Sequence, residues 1–211
     1  MNERVSLNPE AYGAAAFRFP AAKTPKKLPS KSGALPNLAH RATPVVTPVV
    51  ARGEFVREEL ATDTGHSKEG LPAWRAAAVL TKGNVDTWLF ARFLQPQPLD
   101  LEGADCLVVD TWVPEGQRTS NEILVIVHEK DGGDFLANTG RSLGAPGRSR
   151  IFVPLTRLQL AGWSQDADGV LDLKRVDEIR VGWGGYYGAE GEHVEFSVAV
   201  PEIGVVGGRA R

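Results

Sequence analysis

The chain has 211 residues, a formal net charge of −2 and one cysteine, Cys106, which excludes an intrachain disulfide bond. The charge argues against a nucleic-acid-binding scaffold, and no stretch approaches the roughly 20 apolar residues of a membrane-spanning helix. The first residues lack the apolar core of a signal peptide. We therefore expect a cytoplasmic protein if the chain is complete, and an extracellular one if it is a piece of a secreted enzyme.

Residues 1–52 differ in composition from the rest of the chain. Seven of the 14 prolines fall in residues 1–50, and residues 1–52 hold eight Lys/Arg against two acids, whereas the remainder holds 16 against 24. This composition predicts an extended, basic, Pro-rich arm. The arm is either a linker or a segment that docks on the acidic body or on a partner protein, in which case Tyr12, Phe17 and Phe19 would anchor it.

From residue 53 onward the sequence indicates β-strands separated by turn signals. The predicted strands are 53–60, 73–80, 85–93, 105–113, 121–129, 149–155, 176–183 and 192–200. Strands at this spacing, without a long amphipathic helix, favour an all-β fold, an antiparallel β-sandwich of the jelly-roll type. The sandwich should span 53–204 and be followed by a flexible tail, 205–211. Residues 156–163 fit either one helical turn or a short extended link.

An aromatic, glycine-rich turn, GWGGYYGAEGE, joins the last two predicted strands. Trp183 continues the apolar side of its strand, so we expect it in the core. Tyr186 and Tyr187 lie beyond the strand, and such loop aromatics either fill the core or stack on sugar rings.

Several segments resemble galactose-binding-like jelly-roll domains over about residues 53–204. They are Pro98–Gly103, Phe152–Leu155 and Leu171–Ile179. The chain is similar to the non-catalytic carbohydrate-binding modules of glycoside hydrolases, and to the related sandwich named after complex I intermediate-associated protein 30. Many such relatives hold a structural calcium ion with an aspartate of the last strand. The equivalent stretch here, 201–203, reads Pro-Glu-Ile, so calcium is unsupported and no cofactor is predicted.

The candidate ligand-binding residues are aromatic or polar side chains of the turn and of the polar strand faces. They are Tyr186, Tyr187, Trp112, Asp110, His128, Arg180 and Glu195. A pairing of strands 105–113 and 121–129 that puts Asp110 and Trp112 on one face with His128 would create a mixed aromatic and polar surface suited to an oligosaccharide. The alternative is that Trp112 fills the sandwich and that the polar residues form the solvated face of a sheet.

Other motifs are weaker. Residues 140–144 match the G-x-S-x-G of serine hydrolases, and Asp172 and His193 follow Ser142 in a suitable order. The Pro and Gly after the motif cannot open the helix that such a nucleophile requires. Residues 166–169 indicate an Asp/Gly turn rather than a calcium loop, and the spacing of the four histidines supports no zinc site.

The sequence therefore predicts a non-catalytic carbohydrate-binding module-like domain, accessory to a glycoside hydrolase, with a polysaccharide or oligosaccharide as its partner. The alternative is an assembly subunit that uses the sandwich as a scaffold and docks on a protein through residues 1–52. A serine hydrolase is the third hypothesis. Neither nucleic acid nor a membrane span is predicted.

Overall fold

The computed structural model describes residues 45–51, 56–68 and 71–204, and these form twelve β-strands and one 3-10 turn at Leu155–Arg157. The strands are β1 Val45–Ala51, β2 Val56–Lys68, β3 Leu71–Leu80, β4 Thr87–Leu99, β5 Cys106–Val113, β6 Glu122–Glu129, β7 Asp134–Ser142, β8 Gly147–Pro154, β9 Gln159–Leu160, β10 Val176–Tyr186, β11 His193–Ala199 and β12 Glu202–Gly204. No helix within these ranges is long and apolar enough to cross a membrane.

The strands form two antiparallel sheets that pack face to face as a sandwich. Sheet A has the order β1-β4-β10-β6-β7-β9, and sheet B has the order β12-β5-β11-β3-β2, with β8 added along β5. Strand neighbours in space are mostly not neighbours in sequence, so the chain crosses repeatedly between the sheets. The predicted all-β sandwich is confirmed.

Four strands extend the predicted set. Strand β1 falls at the end of the segment predicted as an arm, and it pairs with β4 from Val45↔Leu94 to Ala51↔Trp88. Strands β7, β9 and β12 lack a sustained period-2 apolar pattern, which is why the sequence does not reveal them. Residues 156–163 combine the predicted helical turn and the predicted extended link, because the 3-10 turn ends at Arg157 and β9 begins at Gln159. The rest of the arm, with Tyr12, Phe17 and Phe19, and the tail 205–211 lie outside the described residues.

The core lies between the inner faces of the two sheets. Its largest fully buried side chains include Trp183, Phe93 and Phe135 from sheet A and Phe196 from sheet B. The prediction that Trp183 faces the core is confirmed. The tight alternation of core residues along each strand determines which side chains of the same strands face outward.

Candidate functional site

The outer face of sheet A carries a second apolar cluster where a solvated sheet face would ordinarily be polar. Phe90 of β4 and Leu124 and Ile126 of β6 are buried although they point away from the core, and Trp88 and Leu136 pack against them. The registers place Phe90 beside Gly182 of β10, and Gly182 beside Leu124. The cluster therefore forms one continuous apolar floor across four neighbouring strands.

Two glycines of β10 make room for this floor. A Cβ at Gly182 would collide with the backbone of β4, lying 2.6 Å from the Cα of Phe90. A Cβ at Gly184 would lie 3.4 and 3.5 Å from Cε2 and Cζ of Phe90, so the phenyl ring lies across the strand above Gly184. Because these outward positions of β10 carry no side chain, the surface is depressed where the Phe90 ring crosses the strand. The middle of this sheet face therefore forms a trough.

The trough is part of a groove of about 710 Å³. Asp86, Glu122 and Gly184 line one end, which we call the acidic end, together with Trp88. Asp134, Arg180 and Trp163 line the opposite end, which we call the paired end. An apolar floor with a few convergent polar groups is the usual composition of a ligand-binding cleft.

Asp134 organises the paired end. Its carboxylate accepts hydrogen bonds from Nδ1 of His128 at 2.8 Å, Nη1 of Arg180 at 3.0 Å and Nε1 of Trp163 at 3.3 Å. Burial by itself would raise the pKa of Asp134, but the hydrogen bond from His128 and the charge of Arg180 outweigh it and lower the pKa to about 2. The hydrogen bond to Asp134 correspondingly raises the pKa of His128. Arg180 also pairs through Nε with Glu178, so its guanidinium is held on two sides.

Trp163 lies on the loop that follows β9, and 62% of its surface is exposed. Two hydrogen bonds join this loop to the backbone at the start of β7. Ala161 N–H donates to the Asp134 carbonyl, and Asp134 N–H donates to the side-chain Oγ of Ser164, both at 2.8 Å. The indole is thereby fixed at the groove while its ring face remains open. The sequence gives no sign of this role, because the loop that carries Trp163 shows no regular period.

The predicted ligand-binding residues do not lie on one surface. His128 and Arg180 are on the outer face of sheet A, and both contact Asp134. Asp110, Trp112 and Glu195 are on the outer face of sheet B, on the opposite side of the molecule. The pairing that would put Asp110 and Trp112 on one face with His128 is wrong, because β5 and β6 belong to different sheets.

Asp110, Trp112 and Glu195 take part in contacts within sheet B. Asp110 is buried and binds Arg148 at 3.1 Å and Arg150 at 2.8 Å. The Trp112 ring contacts His66, at 5.1 Å between ring centroids, and the Arg148 guanidinium, at 5.5 Å from the ring centroid. Glu195 forms a bidentate pair with a neighbouring guanidinium, at 2.8 and 2.6 Å. Each of the three side chains therefore already has polar or aromatic partners within sheet B, as is usual on the solvated face of a sheet.

The two tyrosines of the aromatic turn have different surroundings. Tyr186 is partly buried, donates from its hydroxyl to Glu192 at 2.6 Å and packs edge-on against Trp183 at 6.1 Å between ring centroids. Tyr187 is 62% exposed but does not line the groove. The turn contributes Gly184 and Gly185 to the groove instead.

The residues of the hydrolase-like motif do not form a triad. Ser142 Oγ accepts the Gly144 N–H at 3.0 Å, Asp172 accepts the Lys174 N–H at 2.9 Å, and His193 lies 3.5 Å from Glu195. Within the described ranges, no hydrogen bond or ion pair connects the three side chains. The Asp166 carboxylate accepts the Gly169 N–H at 2.8 Å, which forms the predicted Asp/Gly turn. No group of three or more metal-ligating side chains suited to an ion occurs in this part of the chain.

Comparison with known proteins gives the fold a context. No protein-family model matches the chain, and no curated protein sequence does. Among solved structures, the family 11 carbohydrate-binding module of a cellulosomal cellulase of Clostridium thermocellum matches with a TM-score of 0.57 at 15% identity, over 79% of this chain and 91% of that one. A family 11 module from the same organism, in complex with a β-1,3-1,4-mixed-linked tetrasaccharide, matches with a TM-score of 0.56 at 14% identity, over 77% and 91%. The chain therefore has the β-sandwich fold of carbohydrate-binding modules.

Proposed function

We propose that this carbohydrate-binding module-like domain binds a saccharide chain in the groove of sheet A and leaves the chain chemically unchanged. The observation that carries the proposal is the exposed face of Trp163 beside a fixed Asp134–Arg180 pair and above an apolar floor. Pyranose rings stack their C–H faces on aromatic rings, while their hydroxyls need polar partners in fixed positions. The groove offers both kinds of contact within one cavity.

Arg180 supports this role through the donors that it has left. Its Nε donates to Glu178 and its Nη1 to Asp134, whereas Nη2 has no partner among the described residues. A guanidinium held on two sides presents its remaining N–H groups in a fixed direction, which reduces the entropy lost when a sugar hydroxyl binds. We therefore assign Arg180, with Asp134 and Trp163, to direct saccharide contact.

The length of the groove favours an oligosaccharide over a single sugar. The pairings Asp134↔His128, His128↔Glu178 and Glu178↔Leu94 show that Asp134 is three strand spacings and six residues from Trp88. With ordinary strand dimensions this corresponds to about 25 Å along the face. A chain of several sugars can lie across this distance.

We also propose that the domain is accessory to a glycoside hydrolase, as the similar module is part of a cellulosomal cellulase. In this role the domain supplies affinity for the polysaccharide, and a separate catalytic domain supplies the chemistry. The groove lining contains one charge pair, Asp134–Arg180, and two separate acids, and none of the described residues that line it is a serine, cysteine or histidine that could act as a nucleophile with its base.

The test is affinity gel electrophoresis against a panel of soluble polysaccharides, with Trp163→Ala compared with two matched aromatic variants. Trp112→Ala removes a tryptophan from sheet B, and Tyr187→Ala removes an exposed aromatic outside the groove. We expect at least one polysaccharide to retard the native protein, and Trp163→Ala to weaken that binding by about tenfold or more, with little change for the two controls. Absence of retardation across the panel, or an equal loss in Trp112→Ala, would contradict the proposal.

A further inference from the structure

We propose that Asp86 and Glu122 are specificity-determining residues that make the groove select against glycans bearing carboxylate or sulfate groups. This inference rests on the proposed function, because it concerns which saccharides enter the same groove. It follows from the unequal charges of the two groove ends, and it assigns a role to two residues that the hydrogen-bond network of the paired end does not use.

Asp86 and Glu122 lie at the same end of the face. Asp86 immediately precedes β4, and Glu122 is the first residue of β6. The two strands flank β10, whose Gly182 pairs with Phe90 on one side and Leu124 on the other. Two residues further along each strand, towards this end, are Trp88 and Glu122, with the small Gly184 between them. Both carboxylates therefore line one end of the open groove.

Neither carboxylate is paired with a cation in the part of the chain that the structure describes. Glu122 forms no hydrogen bond or ion pair through its carboxylate with any described residue, and Oδ1 of Asp86 is buried and receives no hydrogen bond from that part of the chain. The paired end is different, because Asp134 and Glu178 face Arg180, and Glu178 also faces Arg92 at 3.7 Å. The acidic end thus holds two carboxylates without a cationic partner among the described residues, whereas the acids of the paired end face arginines.

Arg180 is the groove cation that could attract an anionic ligand, and it already forms ion pairs with protein carboxylates. Arg180 already faces two carboxylates, so an anionic substituent at its remaining N–H groups would meet two like charges beside the guanidinium, whereas a neutral hydroxyl would not. A carboxylate can only accept hydrogen bonds, and the acidic end therefore offers acceptors to sugar hydroxyls and repulsion to a charged substituent. Like charges repel more strongly over an apolar floor than in open water, because the effective dielectric constant is lower.

The experiment compares neutral and anionic forms of the same polymer backbone. The pairs are hydroxyethylcellulose with carboxymethylcellulose, and mixed-linkage β-glucan with its carboxymethylated derivative. Binding of the full chain is measured by affinity electrophoresis and calorimetry at low salt. We expect the neutral member of a pair to bind at least tenfold more tightly, and the ratio to shrink in 0.5 M NaCl because the Debye length falls to a few ångströms.

The decisive variant is Asp86→Asn combined with Glu122→Gln, which keeps size and removes two charges. We expect the neutral-to-anionic ratio to fall below about threefold through a gain in anionic binding. The control is Glu115→Gln combined with Asp131→Asn, an equal charge change at exposed positions outside the groove, and it should keep the tenfold ratio.

Three results would overturn the inference. The first is equal binding of the neutral and anionic polymers by the native protein. The second is an unchanged neutral-to-anionic ratio in the groove variant, and the third is a ratio that falls only because the neutral polymer binds less tightly. Failure of the proposed function is distinguishable, since then neither member of either pair would bind, and no polysaccharide of the wider panel would.

Discussion

Replacing Asp134 with asparagine should destabilise the protein in a pH-dependent way. The folded-state pKa of Asp134 is about 2, against an ordinary value of about 3.9 for an unfolded aspartate. A lowered pKa stabilises the folded state above the unfolded value, and this contribution is lost as the pH falls through the folded value. Because the side chain is only 14% exposed, the difference corresponds to about 2 kcal/mol near pH 5.

The assay is urea unfolding of the native protein and Asp134→Asn at several pH values between 2 and 7. We expect the native protein to be more stable by about 2 kcal/mol near pH 5, and the difference to shrink between about pH 4 and pH 2 as Asp134 is protonated. Because Asp134 raises the pKa of His128, the difference should also shrink as the pH rises above about 6.5 and His128 loses its proton. The exposed Asp131→Asn is the control, and its unfolding free energy should stay within about 0.5 kcal/mol of the native value. Parallel pH profiles for the native protein and Asp134→Asn would refute the assignment of Asp134 as the charge centre of the paired end.

The same variant affects His128. Because the hydrogen bond to Asp134 raises the pKa of His128, Asp134→Asn should lower that pKa towards the ordinary histidine value, as followed by NMR titration of the imidazole protons. A His128 titration curve that does not move would show that the two side chains are not coupled.

Two further substitutions test the fold around the groove. Gly182→Ala should lower the unfolding free energy by about 2 kcal/mol or more, because its Cβ would meet the β4 backbone 2.6 Å from the Cα of Phe90, and a native-like melting temperature would contradict the close approach. Asp110→Asn should lower the unfolding free energy by about 3 kcal/mol, because two arginines share this buried carboxylate, and it should leave saccharide binding unchanged. A selective loss of binding with native stability would instead make sheet B a ligand-binding face.

The sequence identifies the residues of the paired end only in part. His128 and Arg180 stand out in the sequence because His128 follows an apolar run and Arg180 lies between two apolar residues. Asp134 opens a strand without such alternation, and Trp163 lies in an irregular loop. Their importance comes from hydrogen bonds that connect β7, β10 and the loop after β9, and no local pattern encodes contacts across that distance.

The apolar floor shows a second limit of local patterns. Alternation in β6 and β4 distinguishes two sides of each strand, but on these strands both sides are apolar. A strand that is apolar on both sides indicates burial without telling what covers the second side. Here Phe90 crosses the glycines of β10, so the cover is partly a neighbour within the same sheet.

By itself, the sequence determined the fold class, most of the strands and the inward direction of Trp183, because these depend on period-2 alternation and turn residues that act over a few positions. Only the tertiary structure decided which strands share a sheet, and hence that Asp110, Trp112 and Glu195 lie opposite His128 and Arg180. The physical reason is that a strand records which of its sides is buried, whereas its neighbours are chosen by the long-range crossovers of the sandwich. The aromatic turn that is so prominent in the sequence accordingly contributes its glycines to the groove, while the exposed tryptophan beside that groove comes from a loop with no pattern at all.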